Sequence, residues 1–199
     1  MVDVFNEFFG QYPRFEVDVP ARICVFGDHS DYVPYLSSEI VTFASSTHRM
    51  VAKIRPREDG LVRVATTLGG CDLEQFTIEE MKVSGNWLDT LNSRCPPVPN
   101  WSNYVKGAVA YLANKYGISR GFDMLIDSTI PAASGASSSS ALTLCGLAAA
   151  HLANEMEWDP VSFSEMGGEA EWYVGTRGGM MDHASMMFAK KGNMMKFRF

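Results

Sequence analysis

Two stretches of this sequence combine residue types that could bind a charged or polyhydroxylated small molecule. The first is a turn of Gly, Ala and Ser within IPAASGASSSSALTLCGLAAA, residues 130–150. Small side chains leave the backbone N–H groups of such a turn open, and the helix predicted behind it adds the positive end of its dipole. We expect phosphate to be the anion that binds there. Ser and Gly also cap helices that bind no ligand, so the alternative is a plain helix start.

The second stretch follows a short apolar run and contains Asp28, His29, Asp31 and Tyr32. Two carboxylates and an imidazole this close together could hold a polyol through charge-assisted hydrogen bonds. One alternative is a solvated turn, since Asp and Ser favour turns for local reasons. A metal site is another, although one His and two Asp without further ligands nearby support it only weakly.

The two stretches must be positioned by the surrounding secondary structure, which is predicted to contain both helices and strands in mixed order along the chain. Periodicity predicts helices at residues 2–9, at 101–116, behind the Gly/Ala/Ser turn and at about 160–174. Alternation and apolar runs predict strands at residues 15–19, 23–26, 39–44, 50–55, 61–65, 122–130 and 193–199. The fold class that follows is α+β.

Four expectations about these elements are specific. Residues 23–26 should form a buried strand, and residues 45–49 should form a turn between two strands. The charged residues 55–60 should form the tip of a hairpin. Residues 68–100, which are less regular, should be a connection on the surface.

The composition limits the classes of partner. The chain has 199 residues, enough for one domain or two small ones, with 46% hydrophobic and 20% charged residues. Its net charge of −6 includes no basic block or stripe, which argues against a nucleic acid or an anionic membrane as the main partner. A small-molecule ligand is therefore expected.

The four cysteines, Cys24, Cys71, Cys95 and Cys145, form no C-x-x-C pair. Cys24 and Cys145 have apolar neighbours, which predicts buried free thiols. Free thiols are typical of the cytoplasm, which is the compartment that we expect. The first residues resemble no cleavable signal, and no apolar run is long enough to span a membrane.

Four stretches, in this order along the chain, resemble the galactokinases within the GHMP small-molecule kinases. Residues 20–32, PARICVFGDHSDY, follow a helix that ends in Phe9-Gly10 and resemble the signature PGRVNLIGEHTDY. Residues 103–107, NYVKG, match the start of a family helix. GASSSS at residues 135–140 is similar to the phosphate loop GLSSSA, and GMMDH at residues 179–183 is similar to the segment GIMDQ.

The resemblance implies an ATP-dependent sugar kinase with a GHMP kinase N-terminal domain, a mixed sheet with packed helices like ribosomal protein S5 domain 2. Asp182 falls on the Asp that contacts the attacking sugar hydroxyl, and Arg22 on the positive charge beside it. Ser139 falls on a serine that binds Mg²⁺, and Glu171 on the acidic Mg²⁺ ligand of the related mevalonate kinases. The other implied contacts are to the nucleotide, from Gly135, Ala136, Ser137, Ser138 and Ser139, and to the sugar, from Asp28, His29, Asp31 and Gly179.

Departures from the family pattern surround the implied sugar site. Asp28 replaces a Glu, residues 33–38 (VPYLSS) stand where Asn-Gly-Gly is usual, and His183 replaces a Gln. The substrate is therefore expected to be galactose, phosphorylated on its anomeric hydroxyl, or a related monosaccharide. Ala136 for Leu and Ser140 for Ala are milder changes, because both keep the phosphate loop small.

GHMP kinases continue into another domain with a third, glycine-rich motif, and nothing in these 199 residues corresponds to it. We therefore expect residues 1–199 to form one GHMP kinase N-terminal domain, whose partner is the missing C-terminal half. Alone, the chain should bind sugar and nucleotide poorly and be inactive.

Two other functions stay open: a sugar and ATP sensor without turnover, and a kinase of another small alcohol such as mevalonate. The cluster at residues 28–31 argues against mevalonate, whose carboxylate needs cations.

Overall fold

A computed structural model describes residues 1–32, 35, 37–69, 73–82, 85–93, 97–131 and 134–198. The helices are α1 (Val2–Phe9), α2 (Ile78–Met81), α3 (Trp87–Ser93), α4 (Asn103–Tyr116), α5 (Ser138–Ala153), α6 (Pro160–Glu171) and α7 (Met181–Met187). The strands are β1 (Phe15–Phe26), β2 (Glu39–Pro56), β3 (Leu61–Thr66), β4 (Glu74–Thr77), β5 (Phe122–Ser128) and β6 (Met195–Arg198). A 3₁₀ turn, Trp172–Val174, follows α6.

The strands form one mixed sheet in the order β1-β2-β5-β3-β4, and β6 pairs with the start of β2. β3 and β5 are parallel, whereas the other paired strands are antiparallel. Met124 and Ile126 of β5 join the main core with α4, α5 and α6. Leu125, which alternation directs to the opposite face, packs instead with Phe5 and Phe9 of α1. This mixed sheet with packed helices confirms the predicted α+β class.

Residues 45–49 belong to the single strand β2, so the predicted turn between two strands is wrong. The hydroxyl of Ser45 accepts the backbone N–H groups of Thr47 and His48, at 3.2 and 3.0 Å. The register of the β1–β2 pair shifts opposite this point. The polar run has the composition of a turn. Here the local hydrogen bonds and the register shift allow it to remain part of one extended strand.

Residues 55–60 do not form the tip of a β2–β3 hairpin, because β5 lies between these two strands. The buried carboxylate of Asp123 on β5 accepts two hydrogen bonds of 2.7 Å from the guanidinium of Arg63. Arg57 lies 3.3 Å from the same carboxylate. The hairpin prediction was wrong because part of the charge that suggested an exposed tip instead neutralises a buried carboxylate between the strands.

The apolar residues 23–26 are also not buried as predicted. Ile23, Val25 and Phe26 are 39%, 53% and 67% exposed, because this end of β1 extends beyond the two core clusters of the described residues. Gly27 follows with φ +85°, and a Cβ there would overlap the backbone of Glu39. This glycine directs the chain from the strand end into residues 28–32.

The segment 68–100 is more than the surface connection that was predicted. Within it, β4 pairs with β3 at the edge of the sheet. Trp87 of α3 is buried, and its indole N–H donates to the backbone carbonyl of Glu169 at 3.1 Å. Residues 70–72, 83–84 and 94–96 of the segment lie outside the described residues.

Several other predictions agree with the structure. α1 ends as expected at Gly10, which has a left-handed backbone with φ +69°. Cys145 is buried and free, whereas Cys24 is free but only half-buried; Cys71 and Cys95 lie outside the described residues. In the part of the chain that the model describes, no helix combines the length and apolar character needed to cross a membrane.

Candidate active site

The Gly/Ala/Ser turn lies at the surface between β5 and α5. Gly135 and Ser137 have left-handed backbone, with φ +74° and +56°. Ser137 occupies the N-cap of α5, but its side chain bonds no backbone N–H of the first helical turn, which leaves those donors for a ligand. The residues predicted to bind nucleotide are exposed at Gly135 and half-buried at Ala136, Ser137, Ser138 and Ser139. They therefore line an open surface; residues 132–133 of the turn lie outside the described residues.

Arg22 on β1 joins this turn to the predicted catalytic aspartate. Its side chain is buried and forms an ion pair with Asp182. The guanidinium also donates to the carbonyl of Gly135 at 3.4 Å and lies 3.8 Å from Asp28. Because a guanidinium keeps its charge under all ordinary conditions, Arg22 is a fixed positive charge between the turn and the carboxylate.

Asp182 lies in the first turn of α7, a helix that the sequence pattern did not predict. Its side chain is 27% exposed and so remains accessible to a ligand. One carboxylate oxygen faces Arg22, and the other lies 3.5 Å from the hydroxyl of Ser140. The position near a helix N-terminus also favours its negative charge. The aspartate is thus held from two sides while it faces solvent.

Glu171, the last residue of α6, shares the hydroxyl of Ser140. This hydroxyl lies 3.2 Å from each oxygen of the Glu171 carboxylate. Burial raises the pKa of Glu171 to about 7, and the charge of Asp182 adds to the rise, whereas the hydroxyls of Ser139 and Ser140 oppose it. Both predicted Mg²⁺ ligands, Ser139 and Glu171, therefore lie together beside Asp182.

The raised pKa of Glu171 gives a prediction for the pH dependence of folding. The unfolded carboxyl loses its proton near pH 4.5, whereas the folded one keeps it to about pH 7, so stability falls as the pH rises through this window. Glu171→Gln has no carboxyl at this position, so its stability should not fall in this way as the pH rises. In urea unfolding we expect the variant to be more stable than the wild type at pH 8, by up to about 3 kcal/mol, and to differ little from it at pH 4.

Glu165, exposed on the same helix, is the matched control for this measurement. Glu165→Gln should change stability little, and by the same amount at both pH values. A Glu171→Gln variant whose advantage did not grow between pH 4 and pH 8 would contradict the raised pKa of Glu171.

Asp31 and Gly179, both predicted to contact sugar, meet at the start of α7. One oxygen of the Asp31 carboxylate accepts the backbone N–H of Met181 at 2.9 Å. A Cβ on Gly179 would overlap this carboxylate, so the glycine is what allows the close approach. Asp31 therefore anchors the chain next to Asp182 and keeps a second oxygen for a ligand.

Asp28 and His29 are less tightly placed. The side chain of Asp28 is 46% exposed and lies 3.8 Å from Arg22. His29 is 79% exposed and has φ +61°; among the described residues it approaches the carboxylate of Asp28, at 3.8 Å, and the ring of Tyr32. Asp28 thus lies at the rim of the site and His29 further out. Val33, Pro34 and Leu36, where the sequence departs from the family pattern, lie outside the described residues.

The sequence identified Ser140 and His183 only as departures from the family pattern, and did not predict that both would be buried beside Glu171. His183 is fully buried, with its Nε2 atom 3.7 Å from the Glu171 carboxylate. Burial lowers the pKa of His183 to about 4, so the imidazole is neutral at physiological pH. A Cβ on Gly167 would overlap the imidazole, which explains the glycine in the middle of α6. His183 therefore packs behind Glu171 as a neutral ring.

A separate groove of about 1020 Å³ lies between β1, β2 and the turn after α7. It is lined by residues such as Asp18, Arg49 and Lys190. None of the predicted site residues lines it, so it is not part of the candidate active site.

Known proteins are similar to this chain in sequence and in fold. Residues 103–190 match the model of the GHMP kinases N terminal domain. The chain is 32% identical over 177 residues to a galactokinase of Lactobacillus helveticus, a match that covers 87% of this chain and 42% of that protein.

Solved structures of small-molecule kinases are also similar to this chain. The galactokinase of Lactococcus lactis complexed with galactose is similar with a TM-score of 0.76 and 25% identity, over 95% of this chain and 46% of that one. The mevalonate kinase of Methanococcus jannaschii has a TM-score of 0.69 at 15% identity, over 92% of this chain and 53% of that one, which shows a shared fold. The chain spans less than half the length of either galactokinase.

Proposed function

Because this chain has the N-terminal domain fold of the GHMP kinases, we propose that it forms the phosphoryl-transfer site of an ATP-dependent sugar kinase. The acceptor is the anomeric hydroxyl of galactose or a related monosaccharide. The observation that carries the proposal is the position of Arg22, whose guanidinium contacts both the Asp182 carboxylate and the carbonyl of Gly135. A phosphate bound at the turn would lie beside this fixed charge and within reach of the aspartate.

Each group has a distinct task in this proposal. The free N–H groups of residues 135–139 bind phosphate oxygens at the start of α5. Arg22 stabilises the charge that develops on the transferred phosphoryl group. Asp182 orients the attacking sugar hydroxyl and accepts its proton as the new oxygen–phosphorus bond forms, while the bond from the γ-phosphorus to the bridging oxygen breaks and ADP leaves.

The donor set of the site fits Mg²⁺ bound together with a nucleotide. Among the described residues there is no cluster of three His, Cys, Asp or Glu side chains that could hold a metal alone. Mg²⁺ typically takes one or two protein oxygens and completes its coordination with phosphates and water. Ser139 and Glu171 would hold it here, and bound Mg²⁺ would neutralise charge on the β- and γ-phosphates.

The charges at the rim favour a sugar over a carboxylated alcohol. Asp28 and Asp31 offer carboxylate oxygens that accept hydrogen bonds from hydroxyl groups. Arg22, which lies 3.8 Å from Asp28, is already paired with Asp182. A substrate such as mevalonate would bring a further carboxylate among these acids, so we expect a neutral polyol to bind better.

The experiment that tests this function is an ADP-release assay on a panel of monosaccharides and mevalonate. The protein expressed from its complete reading frame should release ADP with galactose or a close relative, and little with mevalonate. We further propose that turnover needs more of the protein than these 199 residues, so the 199-residue chain assayed in parallel should be inactive. Sugar-dependent ATP binding without ADP release would support a sensor instead.

Ser139 gives a prediction for the dependence on Mg²⁺. Ser139→Ala removes one oxygen ligand, so the Mg²⁺ concentration for half-maximal activity should rise about tenfold or more. The measurement is a Mg²⁺ titration of the initial rate at saturating ATP. Ser46→Ala, at an exposed position on β2, is the control and should titrate like the wild type. An unchanged Mg²⁺ requirement in Ser139→Ala would remove Ser139 from the ligand set.

A further inference from the structure

The hydroxyl of Ser140 is placed between the two acidic side chains of the site. Ser140 lies in the first turn of α5 and is fully buried. Its Oγ atom is 3.2 Å from both oxygens of Glu171 and 3.5 Å from the second oxygen of Asp182. A serine hydroxyl has one proton to donate, so the two carboxylates share this donor.

This contact connects three helices at one point. Ser140 belongs to α5, Glu171 ends α6, and Asp182 begins α7. Once both acids are ionised, above the raised pKa of Glu171, their charges repel each other, and a shared donor between them offsets part of that repulsion. Because the side chain of a buried serine is short, it has few alternative positions and holds its hydroxyl in a defined place between the two acids.

Arg22 and Ser140 act on opposite ends of the same carboxylate. Arg22 is paired with one oxygen of Asp182, and Ser140 lies at the other. Rotation of the Asp182 carboxylate about its last single bond would break at least one of these contacts. With the arginine alone, the carboxylate could still pivot about the ion pair.

We propose that Ser140 is a positioning residue for phosphoryl transfer, which fixes the orientation of the Asp182 carboxylate relative to Glu171. The proposal rests on the kinase function proposed above. Ser140 does not touch substrate in this role; it acts through the two carboxylates. The related motif quoted above has Ala at this position, so the role would be a property of this chain.

Kinetics of Ser140→Ala, in the protein from its complete reading frame, test the proposal. We expect kcat to fall about 10- to 100-fold while KM for ATP and sugar changes less than about twofold, because orientation of the aspartate matters in the transition state rather than in binding. Ser140→Cys, which keeps a weak donor, should fall between the wild type and Ser140→Ala. Ser164→Ala is the control, since Ser164 is equally buried in α6 but donates to the carbonyl of Pro160.

A second readout does not depend on turnover. If Ser140 and Asp182 interact, the shifts in melting temperature caused by Ser140→Ala and Asp182→Asn should not add in the double variant. Those of Ser164→Ala and Asp182→Asn should add. If Ser140→Ala melts below the assay temperature, the Ser140→Cys kinetics decide the question.

The outcomes separate the two proposals. A wild type that turns over while Ser140→Ala keeps its kcat, or additive melting shifts for Ser140 and Asp182, overturns the positioning role and leaves the kinase function intact. A wild type that phosphorylates no member of the sugar panel overturns the kinase function, and the role of Ser140 falls with it.

Discussion

Asp182→Asn should abolish nearly all phosphoryl transfer by the protein expressed from its complete reading frame. The amide keeps the size of the side chain and a contact with Arg22, but it cannot accept the proton of the attacking hydroxyl. Loss of a positioned general base typically costs about 10² to 10⁴ in rate, so we expect kcat to fall in that range. Steady-state ADP release with the preferred sugar measures it.

ATP binding should survive this substitution, because the turn at residues 135–139 and Arg22 remain. Isothermal titration with ATP and Mg²⁺ should therefore give an affinity close to that of the wild type. Asp18→Asn is the matched control: Asp18 pairs with Arg49 on the surface, away from the site, and its loss should leave kcat unchanged. An Asp182→Asn variant that retained wild-type turnover would refute the assignment of Asp182.

Arg22→Met should have the second largest effect. Methionine fills much of the buried space but removes the charge next to the transferred phosphoryl group. Loss of one such preorganised group costs about 10² to 10³ in kcat, and we expect a fall of this size. Single-turnover rates at saturating ATP isolate the chemical step from product release.

Two further variants sharpen this test. Arg22→Lys restores a positive charge without the planar fork that reaches both Asp182 and Gly135, so only partial recovery is expected. Arg49→Met removes an arginine from an exposed ion pair and should not change the rate. If Arg22→Met transferred phosphate as fast as Arg49→Met, the guanidinium would have no part in the reaction.

The residues that make the main contacts of the candidate site could be identified from the sequence. The Gly/Ala/Ser turn, Arg22 and Asp182 stand out through motif resemblance, and in the structure Arg22 contacts both the turn, at Gly135, and Asp182. Helix α5 could also be predicted, because its apolar run follows a run of small N-capping residues. These signals are local, so they do not depend on knowledge of the sheet order.

Features that depend on long-range packing could not be predicted in this way. The order of β2, β5 and β3 decides that residues 55–60 are not a hairpin tip, and the partner of Asp123 is known only once β5 lies between the other strands. Ser140 looks like one more small residue of the turn. Its role emerges only when α6 and α7 place Glu171 and Asp182 at its hydroxyl.

The burial of His183 also depends on long-range packing and could not be predicted from the sequence alone. A histidine next to a candidate catalytic aspartate suggests a polar, accessible site, yet the imidazole is fully enclosed against Gly167. The signal that could have indicated this is the Gly167-Gly168 pair inside a predicted helix. Glycine is unfavourable there unless another group needs the space.

A crystal structure of the complete protein with a non-hydrolysable ATP analogue, Mg²⁺ and galactose would test the central claim most directly. The account predicts that the terminal phosphate lies between the backbone N–H groups of residues 135–139 and the guanidinium of Arg22, with the anomeric hydroxyl of the sugar directed at Asp182. A nucleotide bound elsewhere, with no phosphate at this turn, would contradict it.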